Sequence, residues 1–286
     1  MRRSRLGKVV RGIVIGVVLL WSLGPVVLGV LTSLSTQAEV QAGQWLPTSW
    51  NASGYRALLS SGGAQTTTGF VPSEISAFGH AMTNSLLITL ETTAVLLVLA
   101  VMSGYAFARL RFPGRRVMFA SLVATLVVPA LAVIVPLWRV MANLHLIGTQ
   151  IGLLLIYVSA NAPLAVWLMY NHARELPVAV EEAALADGCT RFQAFRLVVL
   201  PQMRSGIAAV AAIMALAIWG EFFIPLLFAP TAATKPVTVL ITEFVGKYTT
   251  NQPLLAAAGI LTLVPPAVLA ILLSRQIRGL LSGWHG

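Results

Sequence analysis

The first long apolar segment of the sequence runs from Ile13 to Leu34 and contains no charged residue. It is about 22 residues long, and about 20 apolar residues are enough for a helix to cross the hydrocarbon core of a bilayer. A cleaved signal peptide would instead have an apolar region of about 7–15 residues followed by a small-residue cleavage site. Thr36-Gln37-Ala38 is only a poor match to such a site. We therefore expect an uncleaved first transmembrane helix.

Five further segments of the sequence combine length, apolar side chains and few charges, which is the pattern of membrane-crossing helices. The chain has 57% hydrophobic and 10% charged residues, whereas about a quarter of the residues in a soluble domain are charged. We therefore predict an all-α polytopic membrane protein with six transmembrane helices. The predicted spans are residues 13–34, 82–108, 117–135, 151–170, 207–228 and 254–274. The predicted connections are a basic N-terminus at 1–12, external loops at 35–81 and 229–252, a cytoplasmic loop at 171–206 and a cytoplasmic tail at 275–286.

Prolines interrupt several of these predicted spans. We expect Pro129 to break the third span and Pro136 to close it, with a short external helix following over residues 137–150. Pro163 lies inside the fourth span. Such breaks are tolerated in a membrane when neighbouring helices satisfy the freed carbonyl groups.

The positions of the basic residues predict the orientation of the chain. Of the nineteen Lys and Arg residues, fifteen lie in the N-terminus, the loops after the second and fourth spans, and the tail (five, four, four and two). The external segments hold Arg56, Arg139, Lys235 and Lys247. Because cytoplasmic loops carry the excess of Lys and Arg, both termini are predicted to be cytoplasmic. The formal net charge of +10 is thus interpreted as an orientation signal, and no nucleic-acid partner is expected.

The sequence lacks the residue patterns of a catalytic or metal site. It has one cysteine, Cys189, so no intrachain disulfide can form. The four histidines are not spaced like metal ligands, and neither H-E-x-x-H nor G-x-S-x-G occurs. The phosphate-binding pattern G-x-x-x-x-G-K-[ST] is also absent. We therefore expect no enzyme activity, no metal and no cofactor in this chain, and no ATP bound through a P-loop.

Residues 181–201 are the longest interior stretch of charge in this apolar sequence. Their alanine-rich first half, with two early glutamates, predicts a short helix. Gly188 is a natural stop for it, because glycine tolerates a left-handed backbone. Thr190 and Gln193 have the spacing of a capping box that begins a second helix, and Pro201 should end or kink that helix. The alternative is an amphipathic helix on lipid headgroups, although such helices usually carry large apolar anchors and many Lys or Arg residues.

The spacing of this segment resembles the EAA loop of bacterial ABC importer permeases. The matching residues are Glu182-Ala183-Ala184, Gly188, Val198 (isoleucine is usual) and Leu200-Pro201. The resemblance reaches from about Asn84 to the C-terminus and is to sugar-importing permeases of the maltose type. It includes Asn84-Ser85-Leu86, the segment Tyr105 to Arg115, and Trp219-Gly220-Glu221-Phe222-Phe223, where Gly220 replaces the usual asparagine.

The resemblance implies the fold of a type I ABC importer permease in a bacterial cytoplasmic membrane. In that family the loop forms coupling helices that rest in a groove on a cytoplasmic ATPase. The implied coupling residues are Glu182, Ala183, Ala184, Asp187, Gly188, Leu200 and Pro201. The implied partners are a dimer of ABC ATPase subunits that binds the ATP, a second and non-identical permease subunit, and an extracytoplasmic solute-binding protein. The implied solute is a sugar or a related polyol.

Four side chains in the predicted spans are candidates for a substrate path. Glu91 would contact substrate or a cationic group, or it would bond to a Ser, Thr or Asn of a neighbouring helix. Glu221, beside Trp219 at a break in the fifth span, lies near the path or caps the broken helix. Asn161 beside Pro163 binds substrate or stabilises a kink.

Two other functions remain to be weighed against an importer subunit. A secondary transporter driven by an ion gradient needs paired charges within the membrane, and neither Glu91 nor Glu221 has an obvious cationic partner in the sequence. An enzyme embedded in the membrane is disfavoured because catalytic residue types do not cluster.

Overall fold

Helices form the regular structure of the chain, and the described residues contain no β-strand. The computed structural model describes residues 5–60, 73–245 and 251–282, so predictions for residues 1–4, 61–72, 246–250 and 283–286 lie outside it. The first seven α-helices are α1 (Arg5–Ser33), α2 (Gln37–Gln41), α3 (Ser53–Leu59), α4 (Ser73–Arg109), α5 (Arg115–Ala124), α6 (Ala130–Asn143) and α7 (Gln150–Glu175). The others are α8 (Val178–Ala186), α9 (Arg191–Ala194), α10 (Leu200–Gln202), α11 (Arg204–Trp219), α12 (Phe223–Phe228), α13 (Val237–Glu243) and α14 (Gln252–Ser282).

Four of the described helices are long and apolar enough to cross a membrane: Val10–Ser33, Ile75–Arg109, Gln150–Glu175 and Gln252–Leu272. Two further pairs are bent at a short break. They are Arg115–Val127 with Leu131–Asn143, bent by 105°, and Arg191–Gln202 with Arg204–Trp219, bent by 68°. By length and composition the described chain therefore holds four spans, or up to six if each bent pair is one span. The all-α polytopic class predicted from the sequence is confirmed.

The helices extend beyond the predicted spans. α4 begins at Ser73 rather than at residue 82, so the predicted external loop 35–81 contains α2, α3 and the first turns of α4. With 37 residues at about 1.5 Å each, α4 is about 55 Å long, well beyond the about 30 Å of the hydrocarbon core. α7 likewise continues to Glu175, inside the predicted cytoplasmic loop.

The prediction that Pro136 closes a helix is wrong. The chain breaks at Pro129, which lies in an extended conformation at the start of α6, and Pro136 then lies inside that helix. Pro136 has no N–H to donate to the carbonyl of Ala132 in the first turn of α6, and its ring crowds that carbonyl. Neighbouring groups in a membrane protein can satisfy one such carbonyl. The helix therefore continues to Asn143, into the region predicted as a separate external helix.

One compact unit comprises the described residues within Met1–Met82 and Val239–Val264. The Ser33 hydroxyl at the end of α1 lies 2.6 Å from the Tyr55 hydroxyl in α3. The Gln37 side chain in α2 accepts the backbone N–H of Gln252, the first residue of α14, at 3.0 Å. These bonds join the connection after α1 to the end of α1 and to the start of α14.

Glu39 organises the connection between α2 and α3. Its Oε2 accepts the backbone N–H of Thr36 at 2.8 Å, and its Oε1 accepts those of Thr48 and Ser49 at 3.0 and 3.1 Å. These hydrogen bonds lower the pKa of Glu39 from 4.5 to about 2. The backbone bond from Thr36 contributes most, followed by the bond from the Thr48 hydroxyl. Hydrogen bonds to the charged form have this effect. The connection is thus a folded turn held by an ionised carboxylate.

The second compact unit comprises Thr83–Thr238 and Pro265–Gly286, and α4, α7 and α11 form its core. Buried side chains from these three helices include Leu96, Ala100, Tyr157, Met169, Val210 and Met214. Two glycines mark close approaches: Gly104 of α4 lies against the α7 backbone, and Gly206 of α11 lies against the His172 ring of α7. Small residues at helix interfaces allow such approaches.

Candidate functional site

α8 and α9 form the helix–glycine–helix element that the sequence predicts. α8 ends at Ala186, and Gly188 follows with a positive φ of 88°. The N–H of Gly188 donates to the Leu185 carbonyl and that of Cys189 to the Ala184 carbonyl, both at 3.1 Å. These two bonds are the Schellman arrangement for ending a helix. Local chemistry therefore determines the shape of this element.

The capping box that begins α9 is also present. The Gln193 backbone N–H donates to the Thr190 hydroxyl at 3.3 Å, and the Thr190 N–H donates to the Gln193 side chain at 2.8 Å. A π-helical segment, Phe195–Val199, follows, and Pro201 lies in the first turn of α10. Pro201 has no N–H and its ring opposes the carbonyl four residues earlier, which explains why regular α-helical bonding is lost just before it. The axis then bends by 68° into α11.

The predicted coupling residues divide into an exposed and a buried set. Glu182, Ala183, Asp187, Gly188 and Pro201 are exposed, Leu200 is half-buried against the core, and Ala184 is buried. A Cβ added to Gly188 would meet no atom within 4 Å. The exposed face of α8 and its turn therefore presents small side chains, the two carboxylates of Glu182 and Asp187 and an open glycine, while the buried face packs on other elements of the second unit.

Glu181, next to the exposed Glu182, turns inward. Its Oε1 accepts a hydrogen bond of 2.6 Å from the Tyr105 hydroxyl in α4. Its Oε2 lies 3.7 Å from Nε of Arg109 in the last turn of α4. The Arg109 guanidinium also donates to the carbonyl of Leu176, the residue that follows α7. Sequence analysis missed this cluster, and the spacing of Tyr105 and Arg109 on one helix face was the only local signal for it.

A cavity of about 580 Å³ lies between the α5–α6 break, α7 and the α11–α12 break. Its lining is mostly apolar and includes Leu126, Val128, Ile134, Ile156, Pro163, Phe223 and Phe228. The few polar side chains are Glu221, Ser159 and Thr125. An apolar cavity with a few polar groups is the usual form of a small-molecule site.

Glu221 is the only predicted path residue among the cavity-lining residues. Its Oε1 accepts the backbone N–H groups of Phe223 and Ile224 at 3.0 and 3.2 Å, so it also caps α12. The capping role considered for this residue is thus present, and its role in a substrate path stays a prediction. The break that exposes it is the Gly220 turn between α11 and α12.

The other three predicted path residues lie elsewhere in the second unit. Glu91 is exposed on α4 and accepts a 2.9 Å hydrogen bond from the Gln150 side chain at the start of α7. The Asn161 side chain donates to the Tyr157 carbonyl one turn earlier in its own helix, at 2.9 Å. Trp219 is buried. The structure therefore does not bring these three residues together with Glu221 around one cavity.

Asn84 and Ser85 hold the segment that follows α12. The Asn84 side chain donates to the carbonyls of Ala232 and Lys235 at 3.3 and 3.2 Å. The Ser85 hydroxyl accepts the backbone N–H of Val237, the first residue of α13, at 2.8 Å. The resemblance included both residues, but the sequence did not reveal what they contact.

Gly206→Ala is expected to lower the free energy of unfolding by about 1–3 kcal/mol, the usual range for overpacking. The new Cβ would overlap Cδ2 of His172, and only 11% of the His172 side chain is exposed, so the ring has little room to move. Thermal unfolding in detergent would measure the loss. In a His172→Ala background the same substitution should have little effect, and an equal loss in both backgrounds would contradict this packing.

Comparisons with known proteins support one family. Residues 97–280 match the family described as "Binding-protein-dependent transport system inner membrane component". The chain is 30% identical over 285 residues to the trehalose transport system permease protein of Mycobacterium tuberculosis, covering 99% of this chain and 97% of that protein. It is 33% identical over 210 residues to the diacetylchitobiose uptake system permease protein of Streptomyces coelicolor, covering 71% and 68%.

A solved structure agrees with this result at the level of the fold. A chain of a bacterial ABC transporter involved in the import of the acidic polysaccharide alginate superimposes with a TM-score of 0.81. The two chains share 20% sequence identity, and the match covers 96% of this chain and 98% of the other.

Proposed function

Because this chain belongs to the family of binding-protein-dependent transport system inner membrane components, we propose that it is the permease subunit of an ATP-driven importer for a sugar or related polyol. The observation that carries the proposal is the exposed outer face of α8 with its open Gly188 turn. Small side chains there allow another protein surface to approach the helix closely. The family works with an ATPase and a solute-binding protein, and α8 is the surface we assign to the ATPase.

The proposed orientation places both termini, α8 and α9 on the cytoplasmic side of a bacterial inner membrane. It requires six spans, with each bent pair counted as one. The support is the excess of Lys and Arg in the segments so placed. An ATPase dimer that binds ATP in the cytoplasm then has access to the coupling residues Glu182, Ala183, Asp187 and Gly188.

Cys189 provides a test of this orientation, because it is the single cysteine of the chain and is half-buried beside Gly188. A membrane-impermeant maleimide should label Cys189 in inside-out vesicles and leave it unlabelled in intact cells. A Cys189→Ser variant controls for other proteins. Labelling in intact cells would place α8 outside the membrane, where no cytoplasmic ATPase could reach it.

A second, non-identical permease subunit is part of the proposal. Glu91 is exposed on a membrane-crossing helix in this single chain, apart from its bond to Gln150. A carboxylate facing lipid costs at least about 2.5–3.5 kcal/mol, so another subunit or an aqueous path between two subunits must cover it. The resemblance to maltose-type permeases favours a non-identical partner.

In the proposed mechanism, closure of the ATPase subunits on ATP displaces α8. α8 is part of the second unit, so the other helices of that unit move with it as a rigid group. Access to the cavity beside Glu221 then alternates between the two sides of the membrane. The driving energy comes from the partner subunits, and this chain performs no chemical step.

Sugar as the transported class is supported by the relatives, whose names specify trehalose and diacetylchitobiose. The cavity is consistent with it, since sugars present apolar C–H faces as well as hydroxyls. Phe223 and Phe228 line one part of the cavity, and Glu221 and Ser159 offer oxygen atoms to hydroxyl groups. An ion-driven transporter would need a charged partner for its intramembrane carboxylates. Among the described residues Glu91 is instead bonded to the Gln150 side chain, and Glu221 to backbone N–H groups, which disfavours that alternative.

Reconstitution tests the proposal. The chain would be purified with its ATPase, second permease and binding protein, and placed in vesicles with labelled trehalose or another disaccharide. We expect uptake that requires both ATP and the binding protein, and that stops when the ATPase is replaced by a variant unable to hydrolyse ATP. Uptake driven by a proton or sodium gradient without ATP would refute the proposal.

Glu221→Gln is expected to lower sugar uptake about tenfold while the transporter still assembles. Glutamine keeps an oxygen that can accept the Phe223 and Ile224 N–H groups, so the start of α12 should remain folded. The substitution removes only the charge that would strengthen a hydrogen bond to a sugar hydroxyl. Because a hydrogen bond to a charged group is worth about 1.5–3 kcal/mol, its weakening accounts for a loss of about tenfold. Uptake kinetics would show the change, and unaltered kinetics would remove Glu221 from the path.

A further inference from the structure

The two adjacent carboxylates of α8 have opposite environments. Glu182 is exposed, whereas Glu181 is only 7% exposed. A buried carboxylate is unfavourable unless it is paired and hydrogen-bonded. A position on the inner face of a docking helix that required only packing would be occupied more favourably by an apolar side chain. The buried Glu181 therefore indicates a requirement beyond packing.

Among the residues that the structure describes, the close polar partners of Glu181 are Tyr105 and Arg109, both in the last turns of α4. Tyr105 and Arg109 are four residues apart, so they lie on the same face of that helix. Tyr105 donates to Oε1 of Glu181 and its ring also packs on Phe195, with ring centroids 4.6 Å apart. Arg109 faces Oε2 and at the same time donates to the carbonyl of Leu176. The end of α4 thus contacts the elements on both sides of α8 as well as α8 itself.

We propose that Tyr105, Arg109 and Glu181 form a joint that transmits the movement of α8 to the inner end of α4. This inference rests on the proposed function, because it assumes that an ATPase displaces α8. In it, Glu181 is a positioning residue: it does not touch the ATPase, and it ties the docking surface to a membrane-crossing helix. The role differs from that of the exposed coupling residues, which the resemblance already implied.

The joint is not fully closed in this structure. Arg109 Nε and Glu181 Oε2 are 3.7 Å apart, and neither atom has a hydrogen-bond partner among the described residues. A charge-assisted N–H···O bond is about 2.7–2.9 Å long. The Tyr105 bond to the same carboxylate is already at full strength, so the gap would be closed by an approach of the Arg109 side chain of about 1 Å. The Arg109–Glu181 half of the joint is thus the looser one, and the Tyr105–Glu181 hydrogen bond is the tighter one.

A double-mutant cycle in the reconstituted transporter tests the joint. Tyr105→Phe removes one hydroxyl, Glu181→Gln removes the charge, and a third variant carries both changes. The readouts are the number of sugar molecules imported per ATP hydrolysed and the amount of ATPase that co-purifies. We expect each single change to lower the import per ATP about tenfold with ATPase recruitment unchanged. The double variant should lose no more than about twofold beyond the worse single variant, because both changes act on one interaction.

Arg109→Gln and Arg116→Gln form a matched pair for the same assay. Arg116 lies in the first turn of α5 and is exposed, so its replacement removes the same charge without touching the joint. We expect Arg109→Gln to lower the import per ATP about tenfold and Arg116→Gln to leave it unchanged. Three results would each overturn the joint: equal effects of the two arginine variants, an unaltered import per ATP in Tyr105→Phe, or a loss in the double variant equal to the product of the two single losses.

The outcomes also separate this inference from the proposed function. If the unaltered chain recruits no ATPase, the proposed function is wrong and the joint falls with it. If the unaltered chain imports sugar with ATP and the three joint variants do so equally well, only the joint is wrong. If ATPase recruitment and uptake fall in parallel, the cluster stabilises α8 without transmitting its movement, which also overturns the proposal.

Discussion

Gly188→Asp is expected to lower the import of sugar per ATP by at least about 100-fold, while the protein still inserts into the membrane. The residue has a φ of 88° and open space around its Cβ position, so the turn between α8 and α9 leaves room that the chain itself does not use. Aspartate would place a charge in the proposed contact with the ATPase. An unpaired charge buried in an interface costs about 3–5 kcal/mol, and each 1.4 kcal/mol is a factor of ten.

Two other substitutions at Gly188 separate charge from backbone strain. Asparagine has nearly the shape of aspartate and tolerates the left-handed region, so Gly188→Asn tests bulk without charge. Valine is β-branched and is an outlier at positive φ, so Gly188→Val tests strain. We expect the order of import per ATP to be Gly, Asn, Val and then Asp, with similar amounts of protein in the membrane. Normal import by Gly188→Asp would remove this turn from the ATPase contact.

The helix–glycine–helix element was predictable because its determinants are local. A left-handed glycine ends α8, and the Thr190–Gln193 capping box begins α9. Each of these features involves residues within a few positions of one another, so the sequence pattern contains the whole physical argument. The all-α membrane class was predictable for a similar reason, since apolar length alone determines whether a helix can cross a bilayer.

The joint and the cavity were not predictable, because they join distant parts of the chain. Tyr105 and Glu181 are 76 positions apart, and no periodicity in the sequence relates them. Glu221 appeared as a candidate because it follows a break in a span, and Pro129 predicted the α5–α6 break, but no pattern in the sequence showed that the two breaks line the same cavity. Pro136 shows the reverse failure: its local tendency to end a helix was overridden within α6.

The contact between α4 and α7 sets up the second prediction with a large effect. A Cβ added to Gly104 would lie 2.7 Å from the Met169 Cβ, 2.9 Å from the Met169 carbonyl carbon and 2.9 Å from the Tyr170 nitrogen. Two of these three atoms belong to the backbone of α7, so no side-chain rotation can relieve the overlap. The two helices would have to separate near the ends that hold Arg109 and Leu176, which are themselves bonded to each other.

Gly104→Ala should therefore reduce the free energy of unfolding by about 1–3 kcal/mol, and Gly104→Val by more, since overpacking at a rigid site forces backbone shifts. Gly79→Ala on the same helix is the matched control, because a Cβ there meets nothing within 4 Å. That control should be neutral or stabilising by up to about 1 kcal/mol, the gain in helix propensity from glycine to alanine. Thermal unfolding of the three variants in detergent would measure the difference. α4 carries two of the three residues of the joint, so Gly104→Ala should also lower the import of sugar per ATP in the fraction that folds. If Gly104→Ala and Gly79→Ala had equal effects, α4 and α7 would not be held as closely as the structure shows.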